Sequence, residues 1–328
     1  MIDLPEGPPP EAAPDAIAVP VVAPGPVALG GPSLEWQGGL YQRVMDAIYA
    51  LPDLFKTSLN ISGVRATDLF TLNSALGASI EQSVVDNLNA LRKIWDTDDQ
   101  FQLYAFVRQA QVFPDVRLQT DAPNVDPQVL MAIELKGWFA LAKEGEPSFR
   151  YKVTPAACAE ADLLVVFPWI LNEVVSGTPK LLRPFVSKAR YAAEHRNYYW
   201  SVLRGVTGAD AAITPARHQA PYPRKGEKFN DEAVQDSGGN FGRVARGGVM
   251  ENFVEELMRQ PVAGIPLGAW QRFLRIFSES FTETKLRNQL QQIKINNAES
   301  IEHSDESKAA FANFIEGVER LIISIKNY

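Results

Sequence analysis

Across residues 73–95 the apolar side chains Leu76, Ile80, Val84, Leu88, Leu91 and Trp95 recur every three or four positions. That spacing keeps them on one side of a 3.6-residue turn, so it predicts an amphipathic helix with Asn73 or Ser74 as its N-cap. The next run, 101–107, fits either helix or strand. Residues 112–118, Val-Phe-Pro-Asp-Val-Arg-Leu, read as extended, and a turn-rich bridge follows over 120–127. The run 129–133 is a strongly apolar strand that ends in Glu134, Leu135 and Lys136. Thr154-Pro155 is a cap followed by proline at the first helical position, which predicts a short helix to about Glu160. Residues 161–167 are nearly continuous in apolar character, as in a strand buried on both faces. Beyond Pro179 helical spacing returns, most clearly over 267–281 and in a stripe of Phe311, Phe314, Ile315, Val318, Leu321, Ile322 and Ile325.

The order helix, strands, hairpin, helix, buried strand predicts an α/β core within residues 74–170, a mixed sheet flanked by helices. The part from about 178 to 328 is expected to be mostly helical. Residues 1–33 form a separate arm by composition, because the first 32 residues hold 9 of the 23 prolines and no Lys or Arg. From residue 34 onward the chain reads as a single domain.

Composition narrows the chemistry. The chain has 328 residues, 46% of them hydrophobic, enough for a sizeable core. No apolar run approaches the roughly 20 residues of a membrane-spanning helix, so no membrane partner is expected. The acidic, proline-rich start lacks the basic opening and apolar stretch of a secretory signal, which predicts an intracellular, cytoplasmic protein. One cysteine, Cys158, excludes a multi-cysteine zinc site, and three histidines leave little for a histidine cage. His195 and His218 lack partners at a recognisable spacing and read as structural, and Cys158 as a small buried residue. Metal chemistry, where present, falls to carboxylates.

Glu134 and Lys136 project from the same face of their strand, because side chains alternate with period two. If residues 115–118 pair antiparallel with that strand through a turn near Val125, Asp115 falls across from about Leu135. Asp126 then sits at the far end of the hairpin, out of reach, and the geometry selects Asp115. Two carboxylates, with the carbonyl of Leu135 as a further oxygen donor, suit a hard divalent cation such as Mg²⁺. An ammonium beside them can orient an attacking water and stabilise charge on a phosphoryl oxygen.

Pro114-Asp115, followed after 18 residues by Glu134-Leu135-Lys136, resembles the PD-(D/E)XK nuclease motif. The element order over about residues 74–168 resembles the αβββαβ core of that superfamily, and the size and extended C-terminal part look most like type II restriction endonucleases. The resemblance implies that Asp115 and Glu134 hold Mg²⁺, that Lys136 serves the attacking water, and that Glu81, on the preceding helix, joins them. It implies Mg²⁺-dependent hydrolysis of double-stranded DNA at a specific sequence by a homodimer in a prokaryotic cell. A structure-directed repair or recombination nuclease shares this chemistry. A non-catalytic DNA-binding protein, in which Glu134 and Lys136 are only an ion pair, is a reading of a different class.

The net charge of −7 argues against nucleic acid until it is divided along the chain. Residues 180–228 carry ten Lys or Arg against Glu194, Asp210 and Glu227, a basic stretch on an acidic body. Arg224, Lys225 and Lys228 are candidate phosphate contacts. In the glycine-rich run 236–248, Asn240, Arg243 and Arg246 are candidate contacts to bases or phosphates. That run lacks the Lys-Ser/Thr ending of a phosphate-binding loop, so nucleotide triphosphate binding is not expected. Tyr198, Tyr199 and Trp200 fit the core better than a base-stacking platform.

Overall fold

The apolar run 129–133 opens a longer strand. In the computed structural model, which describes residues 25–28, 32–33, 35–63, 72–110, 112–121, 126–142, 145–218, 220–278 and single positions 291, 313 and 316, strand β3 spans Val129–Phe139. Glu134 and Lys136 therefore lie inside the strand instead of ending it. The extension follows from its neighbour. Strand β4, Leu163–Leu171, is buried at every position and runs parallel to β3 from Ile133↔Leu163 to Phe139↔Trp169. Pro168 does not interrupt β4. Its carbonyl accepts the Leu182 N–H on the flank away from β3, and its nitrogen faces that same flank, so the ladder to β3 loses no donor.

Strands β1, Tyr104–Arg108, and β2, Val116–Thr120, complete an antiparallel ladder onto β3, with pairs Phe106↔Leu118 and Leu118↔Met131. Strands β5, Pro179–Leu181, and β6, Phe185–Lys188, both pair antiparallel with β4. The result is a six-stranded mixed sheet, β1-β2-β3-β4-β5, with β6 beside β4. These two short strands open the part of the chain expected to be mostly helical.

Helix α1, Leu40–Leu54, was not evident from spacing alone; it buries Leu40, Val44, Ala47, Ile48 and Leu51. The helix expected over 73–95 is two helices, α2, Leu72–Ala90, and α3, Arg92–Trp95, separated at Leu91. Because α2 starts at Leu72, Asn73 and Ser74 lie inside its first turn and neither is the N-cap. Phe106, Leu118, Met131, Ile133 and Leu135 share the sheet face that these helices cover, and Trp95 meets Phe106 edge-on at 5.3 Å. Leu40, Val44, Leu76, Ile80, Leu88 and Trp95 join them in one apolar core.

The opposite face carries Ala132, Glu134 and Lys136. It is covered by the segment 151–162 and by α4, Ala189–Tyr198. The helix expected to reach Glu160 is a single 3₁₀ turn, Pro155–Ala157, because Cys158 is already extended. The Asp162 carboxylate accepts the Ala159 N–H at 2.7 Å and holds the chain in a turn there. The link from β3 to its parallel neighbour β4 thus contains no α-helix in its described part, a departure from the αβββαβ order.

The C-terminal part is less helical than its periodicity suggests. A π-helical turn, Tyr199–Leu203, extends α4, but most of 204–250 is irregular, with one two-stranded ladder of β7, Ile213–Thr214, and β8, Glu232–Ala233. Helices α5, Glu251–Arg259, and α6, Leu267–Ser278, follow, joined through the small hairpin of β9, Pro261–Val262, and β10, Ile265–Pro266. Expectations for residues 1–24 and for the Phe311, Phe314, Ile315, Val318, Leu321, Ile322 and Ile325 stripe fall outside the described residues.

Candidate active site

The pairing of β2 with β3 decides what meets what. Val116 lies opposite Ile133, so Asp115, one residue earlier, comes level with Glu134, one position from where the turn length alone places it. Past Val116 the chain bends away, and the flank of β3 beyond Ile133 is no longer bonded to β2. Asp115 occupies that flank: its Oδ2 accepts the Leu135 N–H at 2.8 Å. The Leu135 carbonyl leaves the strand on the same side as its N–H, so it also faces the Asp115 flank. The Leu135 side chain points the other way, into the core.

Lys136 links the two acids. Its Nζ donates to Glu134 Oε1 at 2.6 Å and lies 3.8 Å from Asp115 Oδ2. Glu134 is 8% exposed, and the Asp115 and Lys136 side chains keep about a fifth of their surface. Burial first, and then the Glu134 carboxylate, push the Asp115 carboxyl up to about 7, against the pull of Lys136 and the Leu135 N–H. For Lys136, burial works against the charged form, but the fields of Glu134 and Asp115 outweigh it and raise its pKa. Lys136 is therefore an ammonium at neutral pH. In this state it is a source of positive charge and not a base.

Glu81 is near this group without joining it. Its field is felt at Asp115 and Lys136, yet its Oε2 is held by Arg108, at 2.8 Å from Nη2 and 3.1 Å from Nε. Among the described residues no three His, Cys, Asp or Glu side chains gather as a ready metal cage. A cation here would rest on Asp115, Glu134 and a backbone carbonyl, with its remaining positions open to water or substrate. That donor set, all oxygen and two carboxylates, fits magnesium better than a softer ion.

The structure separates the other candidates. Arg224, Lys225 and Lys228 are exposed, and none has an ion pair among the described residues. Arg243 and Arg246 instead converge on Glu146: Arg246 donates to its Oε1 through Nε and Nη2, and Arg243 Nη1 lies 4.0 Å away. Asn240 is tied in as well, its N–H donating to Asp236 and its Oδ1 accepting from Arg246. The glycine-rich run is a pinned element with Phe241, Val244 and Ala245 buried. At Gly247, φ is +83° and the Tyr199 ring fills the space a Cβ would need, so glycine is required there.

Trp200 is buried against Phe241 at 5.2 Å, as a core residue, while Tyr198 and Tyr199 are half-buried. His195 packs beside Tyr191, and His218 pairs with Glu227 at 3.3 Å. Cys158 is buried against the Tyr151 hydroxyl, and burial pushes its thiol up to about 12, which leaves it unreactive.

Sequence reasoning passed over Arg117, Asp162 and Tyr222. Tyr222 donates to Asp162 Oδ1 at 3.0 Å, and the Arg117 guanidinium lies over the Tyr222 ring at 5.2 Å. The signal available was position: Arg117 stands two residues after Asp115, and Asp162 immediately precedes the buried strand. No helix among the described residues is long and apolar enough to cross a membrane. Compared with family models, curated proteins and solved structures, the chain matches none of them.

Proposed function

We propose that this protein is a Mg²⁺-dependent endonuclease that hydrolyses phosphodiester bonds in double-stranded DNA, with Asp115, Glu134 and Lys136 as its working residues. One observation carries the reading: two carboxylates and an ammonium share one partly buried site, with Lys136 Nζ 2.6 Å from Glu134 and 3.8 Å from Asp115. Like-charged carboxylates held together out of bulk water are costly, and a cation offsets that cost.

When bound, a divalent cation makes water more acidic and neutralises charge on a phosphoryl oxygen. Asp115, Glu134 and the Leu135 carbonyl would hold it. Asp115 is pre-aimed by the Leu135 N–H, so its carboxylate needs no reorganisation. Lys136, which donates to Glu134 Oε1 at 2.6 Å, would be released from that carboxylate once Glu134 is engaged as a ligand, and its Nζ could then turn toward the substrate. There the ammonium would orient an attacking water by hydrogen bond and stabilise negative charge on the phosphoryl oxygens as the water oxygen bonds to phosphorus, the bond to the leaving oxygen breaks and the water's proton passes to solvent. Glu81 remains with Arg108 and supports the site through its field.

The type II restriction reading adds sequence specificity and a symmetric dimer, which supplies one site for each strand. Plasmid DNA with Mg²⁺ tests both levels. Discrete fragments that disappear with Asp115→Ala or Glu134→Ala support a sequence-specific enzyme. Cleavage confined to branched DNA moves the assignment to a repair nuclease, and cleavage unchanged in those variants discards the site.

A further inference from the structure

The loop that carries Arg224, Lys225 and Lys228 is attached to the sheet at both ends, and both attachments flank Asp115. At its start, Tyr222 donates to Asp162 Oδ1 at 3.0 Å and stacks under the Arg117 guanidinium, and Arg117 is two residues after Asp115. At its end, the Phe229 ring packs on Phe113 at 5.9 Å, and Phe113 is two residues before Asp115. Backbone bonds reinforce the end point: Thr154 N–H donates to the Phe229 carbonyl at 2.7 Å and Asp231 N–H to the Lys152 carbonyl at 2.8 Å. Asp162 itself directly precedes Leu163, which pairs with Ile133 next to Glu134.

Between these anchors the six residues 223–228 present three exposed cations. The one acid among them, Glu227, is exposed as well, but its carboxylate is engaged within the loop, accepting the Arg224 N–H at 2.8 Å and lying 3.3 Å from His218 Nδ1. Three cations without ion pairs among the described residues stand out on a chain of net charge −7. A polyanion with regularly spaced charges fits this surface.

We infer that loop 223–228 is a clamp for the DNA backbone, and that Tyr222, with Asp162 and Arg117, is the positioning lock that sets it beside Asp115 and Glu134. The inference rests on the nuclease reading for its substrate and deepens it, because it names what places the strand at the site. Each lysine or arginine that neutralises a phosphate adds about 0.9 to the slope of log affinity against log salt.

The test is salt-dependent binding of a short labelled duplex to the full-length protein in Ca²⁺, read alongside plasmid cleavage in Mg²⁺. Replacing Arg224, Lys225 and Lys228 together by alanine is expected to weaken binding roughly tenfold or more and to lower the salt slope by about 2 to 3. Tyr222→Phe keeps every charge, yet it is expected to weaken binding by about fivefold with a lower salt slope. A purely structural hydroxyl would move the melting temperature and leave that slope alone. Wild-type cleavage with binding unchanged in the triple variant overturns the clamp and spares the nuclease reading. Slope-sensitive binding through the loop without any cleavage does the reverse. A wild-type protein that prefers anionic phospholipid vesicles to duplex, or binds no duplex, also overturns the clamp.

Discussion

The Leu135 N–H donates to Asp115 Oδ2 at 2.8 Å, a bond that joins the end of one strand to the middle of the next where the ladder between them has stopped. A backbone donor is stationary, so it fixes one carboxylate oxygen while the other stays available. The same bond brings Asp115 close enough to Glu134 for that carboxylate to disfavour charge on Asp115.

That proximity makes stability depend on pH. The Asp115 carboxyl is raised from its ordinary 3.8 to about 7, chiefly by burial and by Glu134. A group raised in the folded state stabilises the fold fully below its unfolded value, and the contribution is lost as pH rises through the folded value. The metal-free protein is therefore expected to lose melting temperature from this site between about pH 4 and pH 7, with Asp115→Asn flattening the profile. Mg²⁺ is expected to raise the melting temperature at pH 8 and to do little at pH 5. Calorimetry with and without Mg²⁺ checks this, and equal stabilisation at both values would refute it.

Asp162 acts in a narrower window. Burial raises its carboxyl from 3.8 to about 6, opposed by hydrogen bonds from the Ala159 N–H and the Tyr222 hydroxyl. By the same sign, its contribution is present below about pH 4 and lost toward pH 6. Asp162→Asn keeps an oxygen for Tyr222 and is expected to remove this part of the profile. Difference melting curves across pH 3.5 to 6.5, a range set roughly by those two values, would show it.

Arg196 and Asp231 form a buried ion pair at 2.6 Å, with 2% and 0% of their side chains exposed. The guanidinium also donates to the Tyr151 and Val153 carbonyls at 2.8 and 2.9 Å. Asp231→Ala leaves that cation buried without its counter-charge, at an expected cost of about 3 to 5 kcal/mol. Chemical denaturation measures it. Adding Arg196→Met should recover part of the loss, because a neutral side chain requires no partner.

The outer edge of β1 is closed by a side chain. Asn89 on α2 accepts the Phe106 N–H at 2.9 Å and donates to the Phe106 carbonyl at 2.8 Å, imitating a neighbouring strand. Asn89→Leu would strip both bonds and expose a pairing edge. We expect a loss of about 1 to 3 kcal/mol together with concentration-dependent association, measurable by denaturation and light scattering. A monodisperse variant of unchanged stability would show that the edge is protected by other means.

Spacing along the chain carried the helix near 73–95, the extended runs around 116 and 129–136, and the buried strand after Asp162, because each is a local pattern of apolar positions. It also singled out Asp115, Glu134 and Lys136, since alternation and hairpin length are arithmetic on sequence. It failed where long-range pairing overrides local signals. Pro168 sits inside a strand because its nitrogen faces away from β3, so the parallel ladder asks no donor of it, and β5 and β6 form where spacing suggests helix. Arg243 and Arg246 turn to Glu146, about a hundred positions away in sequence.

The mixed α/β class and the charge-bearing strand at the heart of the site were determined by the sequence alone, because alternating and helical periodicities are written into neighbouring residues. The tertiary structure alone decided that Lys136 bridges both carboxylates, that Glu81 is engaged by Arg108, and that the basic loop is anchored on both sides of Asp115. These are contacts between distant segments, set by sheet register and by which buried polar groups must be satisfied, and no spacing within one segment encodes them.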